Sequence, residues 1–426
     1  MLIKKSLFTV LLLSAIGLVS FTDLSKKRAK PVSTLSADIV LYWNEVAYNA
    51  FGGAKYQHSP MASRINAIVH LAIHDALNGI EEKYARYAYT GKDRRANPVS
   101  AASYAAYTVL MHELPAQKGF LDSALASAVH SLRNDEANAR GAYLGKEAAI
   151  AVIGKRVNDG SAKDPIGKIP ASNEPGVYQT VPPFDFVFAP SWSDVKTFSL
   201  QSKDQFRSVP PPPLTSDTYA KAFDEVKSVG YSRSNSRTTD QTAYSKFWYE
   251  FSEAGWNRIA RTVVTSKKLD LLEAARLFAL VDMALADAYI AGWDSKFHYN
   301  FWRPYTAIHE ADLDGNYATA VDKDWTSSEP TPPVHDYPST HSALGNAAAT
   351  VLAGLLGDNT SFSTSSPTAL QGYNVRSFKS FSQAAKENAD SRVMAGIHFR
   401  FSTEAGLEQG RNIGEWTLRH QLQPLR

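Results

Sequence analysis

The stretch LDLLEAARLFALVDMALADAYIAGWDSK, residues 269–296, is apolar on almost every face of a helix. A helix without a polar stripe must be covered on all sides. At roughly 1.5 Å per residue it would run about 40 Å, so the chain must wrap it with other helices. Asp282 and Asp287 interrupt the run. A buried carboxylate must be paired or hydrogen-bonded, and inside a bundle caps and structural bonds suffice to explain both.

The rest of the chain supplies the wrapping. Apolar residues recur at helical spacing over 36–51, 61–80, 98–113, 118–132 and 136–157, and again over 216–229, 238–254 and 255–266. Alternating strand patterns are scarce, so the fold class is all-α with little or no sheet. From 158 to 215 the chain is rich in Pro, Gly and Ser, with "PASNEPGVYQTVPPFDFVFAPSW" followed by "VPPPPL". Its many aromatic residues favour an extended crossover packed on the helical body over a flexible interdomain linker. The expected organisation is one domain over 33–426: N-terminal helices at 33–157, the crossover at 158–215, and a second helical half at 216–426.

Residues 1–22 stand apart. Lys4 and Lys5 precede an apolar run from Leu7 to Val19, the layout of a secretory signal peptide. The run is short for a bilayer span of about 20 residues. The expectation is an exported protein, periplasmic or extracellular in a bacterium, with no stable membrane association once the leader is removed. With no cysteine in the chain, disulfides, thiolate catalysis and zinc–sulfur sites are excluded. Lys+Arg exceed Asp+Glu by 45 − 42 = +3, too little to point to nucleic acid as a partner. Basic character must be local.

Three stretches carry that character. In "KFHYNFWRP" Lys296 and Arg303 stand seven residues apart. Two helical turns put both on one face, and Pro304 ends the helix at Arg303. Cations at a helix C-terminus suit the dipole. Here, however, Phe297, Tyr299, Phe301 and Trp302 would strip them of water, and desolvated cations need an anion. In "PTPPVHDYPSTHSALGNAAATVLAGLLG" a helix begins near His341, with Ser339 and Thr340 where an N-cap belongs. Free N–H groups at such an end bind anions. In "ENADSRVMAGIHFRFSTEAG" Arg392 and His398 are six residues apart, about 120° around a straight helix, so spacing alone does not bring them together. Two Arg, one Lys, one Ser, a helix N-terminus and two His are the inventory for a tetrahedral or trigonal-bipyramidal oxyanion.

Lys-x6-Arg-Pro, Pro-Ser-x-His and Ser-Arg-x5-His, in this order and spacing, resemble the three-part signature of the vanadium haloperoxidase and type 2 phosphatidic acid phosphatase superfamily. "ADIVLYWNEVA", "VHLAIHDALNGI", "VPPPPLTSDTYAKAFDEVKSVG" and "DAYIAGWDSKFHYNFWRP" extend the similarity to the bacterial vanadium-dependent haloperoxidase branch, over most of residues 35–420. The resemblance implies two four-helix-bundle halves around one site and vanadate as cofactor. Lys296, Arg303, Ser339, Arg392 and the Thr340 N–H would hold the oxyanion. His341 would be the acid/base. His398 would bond vanadium, or attack phosphorus in a phosphatase. Lys296 would polarise hydrogen peroxide, which oxidises iodide or bromide to a hypohalous species.

The chain departs from the pattern at three places. Thr340 stands where Gly is usual, and Thr resists φ > 0. Ser402 stands where the wider pattern, His-x3-Asp, has the carboxylate that orients the histidine. Ser402 can accept the imidazole N–H but brings no charge, which weakens a phosphohistidine more than metal ligation. Val334 occupies a position, seven residues before His341, where haloperoxidases often carry Phe or His; halide preference is unreadable there. Trp293, three residues before Lys296, favours the haloperoxidase side. The functional expectation is a vanadate-dependent haloperoxidase using hydrogen peroxide and a halide. An exported acid phosphatase and a non-catalytic oxyanion binder are the alternatives. Homo-oligomerisation is left open.

Overall fold

In the computed structural model, which describes residues 31–133 and 135–425, the apolar run is a single helix of 29 residues, Leu271–Tyr299. Between Leu271 and Lys296 only Glu273 and Arg276 escape burial. The helix begins where Asp270 accepts from the Leu272 and Glu273 N–H groups and Glu273 answers to the Asp270 N–H, a reciprocal cap. It ends at Asn300, whose left-handed φ of 48° stops the winding. The leader expected at residues 1–22 lies outside the described residues.

Thirteen α-helices are present among the described residues. They are α1 (Asp38–Ala50), α2 (Ser59–Ile80), α3 (Pro98–Glu113), α4 (Lys118–Val129), α5 (Glu136–Lys155), α6 (Asp217–Val229), α7 (Thr239–Phe247), α8 (Ser252–Lys267), α9 (Leu271–Tyr299), α10 (Pro304–His309), α11 (Thr340–Leu356), α12 (Phe381–Met394) and α13 (Arg400–His420). Two small antiparallel pairs complete the fold: β1 (Ile166–Gly167) with β2 (Val187–Phe188), and β3 (Phe362–Ser365) with β4 (Val375–Phe378). α2, α3 and α5 pack with α9 into one bundle, while α11, α12 and α13 pack with it into a second. The all-α architecture of two bundles about a shared helix is therefore what the chain adopts.

The two interrupting carboxylates are structural. Asp287 accepts from the N–H groups of Phe198, Ser199 and Leu200 and from Ser199 Oγ, at 2.7–3.0 Å. It thereby fastens the chain between α5 and α6 onto the central helix. Asp282 lies 2.6 Å from His70 Nδ1 and accepts from Asn257. Further along, Tyr178 N donates to Asn300 O and Trp302 N to Gly176 O, so the same segment lies across the exit of α9.

One seam sets the geometry of the second bundle. Gly406, Gly410 and Gly414 on α13 face the carbonyls of Ser339, Ala343 and Ala347 in turn. Both sets advance by four residues, so α13 lies backbone-on-backbone along α11. A Cβ at any of the three would fall inside contact distance of a carbonyl.

Two expected helices are broken. The 238–254 pattern divides into α7 and the start of α8, where Glu250 turns back to pair with Arg258 at 2.6 Å. The straight helix assumed through Arg392 and His398 stops at Met394. Gly396, at φ +78°, closes against the backbone of Gly230, and α13 starts afresh at Arg400.

Candidate functional site

Five segments converge at one end of α9. Lys296 sits in the last turn of α9 and is buried; its Nζ donates to the carbonyls of His335 at 2.7 Å and Asp336 at 2.9 Å. Arg303 arrives differently from the expectation of a shared helical face. The helix has already ended at Asn300, Phe301 bridges to Val177, and Arg303 is the extended N-cap residue of α10. Pro304 is thus the first residue of a new helix and not the stop of the old one. The Arg303 guanidinium donates through Nε to Val334 O and through Nη1 to Ile397 O, both at 2.7 Å.

Ser339 occupies the N-cap position of α11, yet no side chain caps that helix. Ser339 Oγ accepts from Ser342 at 3.1 Å, leaving its own proton free, and its N–H donates to Ser402 O. Thr340 is the first residue of α11 and has no positive φ. The strain expected from a Thr in place of Gly does not arise. Its side chain packs opposite Gly292, where a Cβ would stand at an ordinary contact distance of 3.5 Å from Thr340 Oγ1. His341 Nε2 lies 3.0 Å from Glu250 O. A carbonyl only accepts, so Nε2 carries the proton and Nδ1 is the free base. His341 is only half-buried, unlike the cations.

Arg392 and His398 meet because the chain turns at Gly396, with Ile397 N donating to Arg392 O at 3.2 Å. Arg392 makes one hydrogen bond, to Trp248 O at 3.3 Å, and its buried Nε has no partner. Arg303 Nη1 stands 3.1 Å from His398 Nε2. On the other side of the ring, Nδ1 approaches Asp336 Oδ1 obliquely at 2.9 Å. Arg303 Nη1 stands closer to Nε2 than to Nδ1, which it approaches to 3.5 Å, and the carboxylate lies beside Nδ1; together these favour a proton on Nδ1 and a lone pair on Nε2. Asp336 Oδ2 in turn accepts from Ser402 Oγ. Ser402 therefore contacts the histidine's carboxylate and not the histidine, a correction to the role expected of it.

Sequence reasoning overlooked Asp336. The signal was present: an acid within "VHDYPSTH", in a chain whose usual carboxylate position holds Ser. Val334 contributes its backbone carbonyl, through Arg303. His335 is sealed between Tyr178 and Phe297, with ring centroids 4.5 and 4.4 Å away. Trp293 Nε1 donates to Phe188 O at 3.3 Å, and the Phe188 N–H in turn donates to Pro333 O.

The electrostatics are those of an anion site. Burial first, then the neighbouring Arg303, holds the Lys296 ammonium well below its ordinary range. Burial lowers Arg303 as well, and takes Arg392 down to about 10. Both His341 and His398 are pushed well below the usual imidazole range, by burial and then by the nearby arginines, so both are neutral near pH 7. Burial lifts Asp336 to about 6, with Arg303 opposing. Asp336 is the only carboxylate paired with any of the three cations among the described residues. Three buried cations against one carboxylate leave a charge excess that an oxyanion would cancel.

The chain is similar to known proteins. The family described as the VCPO second helical-bundle domain matches residues 276–426. A vanadium chloroperoxidase of Curvularia inaequalis is 25% identical, over 87% of this chain and 80% of that protein. A bacterial vanadium-dependent iodoperoxidase of known structure superposes with a TM-score of 0.80 at 26% identity, covering 93% of this chain and 99% of its own. The holo form of a bacterial vanadium-dependent chloroperoxidase, at 19% identity and a TM-score of 0.66 over 85% of this chain and 93% of its own, shares the fold. Motif spacing, the second-bundle match and the whole-chain superposition all liken the chain to the vanadium-dependent haloperoxidases.

Proposed function

We propose that this protein is a vanadate-dependent haloperoxidase that uses hydrogen peroxide to oxidise iodide or bromide. The observation that carries this reading is His398, with Arg303 Nη1 3.1 Å from its Nε2, gathered at one end of α9 with the buried Lys296, Arg303 and Arg392. The donor set fits vanadate on the structure's own terms. Arg392 Nε and Thr340 Oγ1 are buried without partners, and the N-terminus of α11 is uncapped. Vanadate held there would act as a Lewis acid toward hydrogen peroxide at constant oxidation state. Lys296, Arg303 and Arg392 would neutralise its oxygens, while Ser339 Oγ–H and the first N–H groups of α11 add donors. His341, neutral, half-buried and with Nδ1 free, is placed to take up a proton from entering peroxide. The aromatic wall of Phe297, Phe301 and Trp302 excludes water behind the cations.

A phosphatase on the same residues is the second reading, favoured by one observation: Asp336 supplies beside His398 the charge that Ser402 lacks. Purified protein supplied with vanadate, peroxide and iodide should oxidise iodide. In parallel, without vanadate, it should leave p-nitrophenyl phosphate intact. Phosphate ester turnover with no halide oxidation at any vanadate level would sink the haloperoxidase reading. We further infer export, from Lys4, Lys5 and the apolar run to Val19. N-terminal sequencing of mature protein tests it, and an intact Met1 would count against it.

A further inference from the structure

We propose that Asp336 is the positioning residue of His398, with Ser402 as its support. In this chain the carboxylate that the family pattern carries on the histidine's own helix has been moved to the segment leading into α11. The inference deepens the oxyanion reading of the site and rests on it for the ligand, though not for the geometry.

Asp336 is held at four points. Its N–H donates to Phe301 O at 3.0 Å, its carbonyl accepts from Lys296 Nζ, Oδ2 accepts from Ser402, and Oδ1 stands 2.9 Å from His398 Nδ1. Oδ1 has no aligned hydrogen bond from any donor; His398 Nδ1 is the nearest, and Arg303 Nη1 is 3.9 Å away. All three side chains are buried, with Asp336 and Ser402 at 0% exposure. An immobile acceptor beside Nδ1 fixes one tautomer, the one that leaves Nε2 as ligand or nucleophile. Ser402 lies in the first turn of α13 beside Ser339, to whose N–H its carbonyl is bonded. The Ser402–Asp336 bond therefore ties the histidine's carboxylate to the glycine seam. In this geometry positions 336 and 402 adjoin, so one carboxylate can be housed from either side.

That exchange is the test. In Asp336→Ser, vanadate affinity measured by equilibrium dialysis should fall about 10- to 100-fold, the usual loss when a ligand histidine's partner is removed. Ser402→Asp alone sets two carboxylates side by side and should also weaken binding. Asp336→Ser combined with Ser402→Asp should recover most of the affinity. Nitrogen-15 spectra of the vanadate-free protein read the tautomer directly: His398 should be protonated on Nδ1 in the parent and in the exchanged pair, and lose that preference in Asp336→Ser. Should Asp336→Ser not fold, the isosteric Asp336→Asn serves both measurements. A parent that binds no vanadate would defeat the oxyanion reading, while the spectra would still decide the role of Asp336. An unchanged tautomer in the folded single variant overturns the proposal. So does a folded exchanged pair whose Nδ1 preference is not restored.

Discussion

At the scale of single residues, Arg392 is the least tethered of the three cations. Lys296 and Arg303 each hold two peptide carbonyls, whereas Arg392 has one bond at 3.3 Å and a buried Nε with none. Its charge is therefore committed mainly to whatever occupies the site. Arg392→Met should weaken vanadate binding roughly 10- to 100-fold, the worth of one charge-assisted bond. In the absence of vanadate the variant should match or exceed the parent in urea, because one of three like charges has left a buried cluster. A large stability loss with unchanged affinity would contradict this. The three motifs were legible at this scale because their residue types and spacings are local. Asp336 was not, because its role depends on Ser402, 66 residues away, which a linear reading places only by analogy. Thr340 looked like a liability for a similar reason: its backbone conformation, which has no positive φ, is set by the helix it begins and not by its neighbours in sequence.

At the scale of elements, the helices were readable from periodicity and their breaks were not. Asn300 and Gly396 interrupt patterns that continue on paper, and both breaks serve the site, one delivering Arg303 and the other His398. The turn at Gly396 answers to a close approach by Gly230, a contact with no trace in the local sequence. The glycine seam between α11 and α13 is the element-level counterpart. Gly410→Ala should cost on the order of 1–3 kcal/mol, as overpacking does, and should lower vanadate affinity by displacing Ser402 and the turn bearing His398. Gly154→Ala in α5, where nothing lies within 4 Å of the new methyl, should be neutral or mildly stabilising. Thermal unfolding with and without vanadate compares the two. Equal losses would show that the seam is not the constraint.

At the scale of the whole molecule, the all-α class was readable from periodicity, but the two-bundle arrangement was accessible only through resemblance, since periodicity alone cannot say which helices share a bundle. The junction of the two halves also carries a charge that should govern stability. Glu253 on α8 accepts from Tyr56 at 2.5 Å and from Tyr289 on α9 at 2.8 Å. Burial lifts it from 4.5 to about 7 despite both bonds. Below pH 4.5 it is protonated whether the chain is folded or not. Above that, the unfolded chain ionises first, so stability should decline until pH passes about 7, by about 3 kcal/mol in all. Glu253→Gln should flatten this decline in urea titrations across that range; parallel profiles for both proteins would exclude it. The span of the site's contacts has a different consequence. Arg303 reaches Ile397 across 94 residues, and Lys296 reaches His335 across 39. Loops of that size close late and at an entropic cost. A chain leaving the ribosome therefore carries Lys296 and Arg303 for a long interval before their partners emerge. The cage is a property of the finished chain, and its occupant would act as a brake on unfolding and not as a guide to folding.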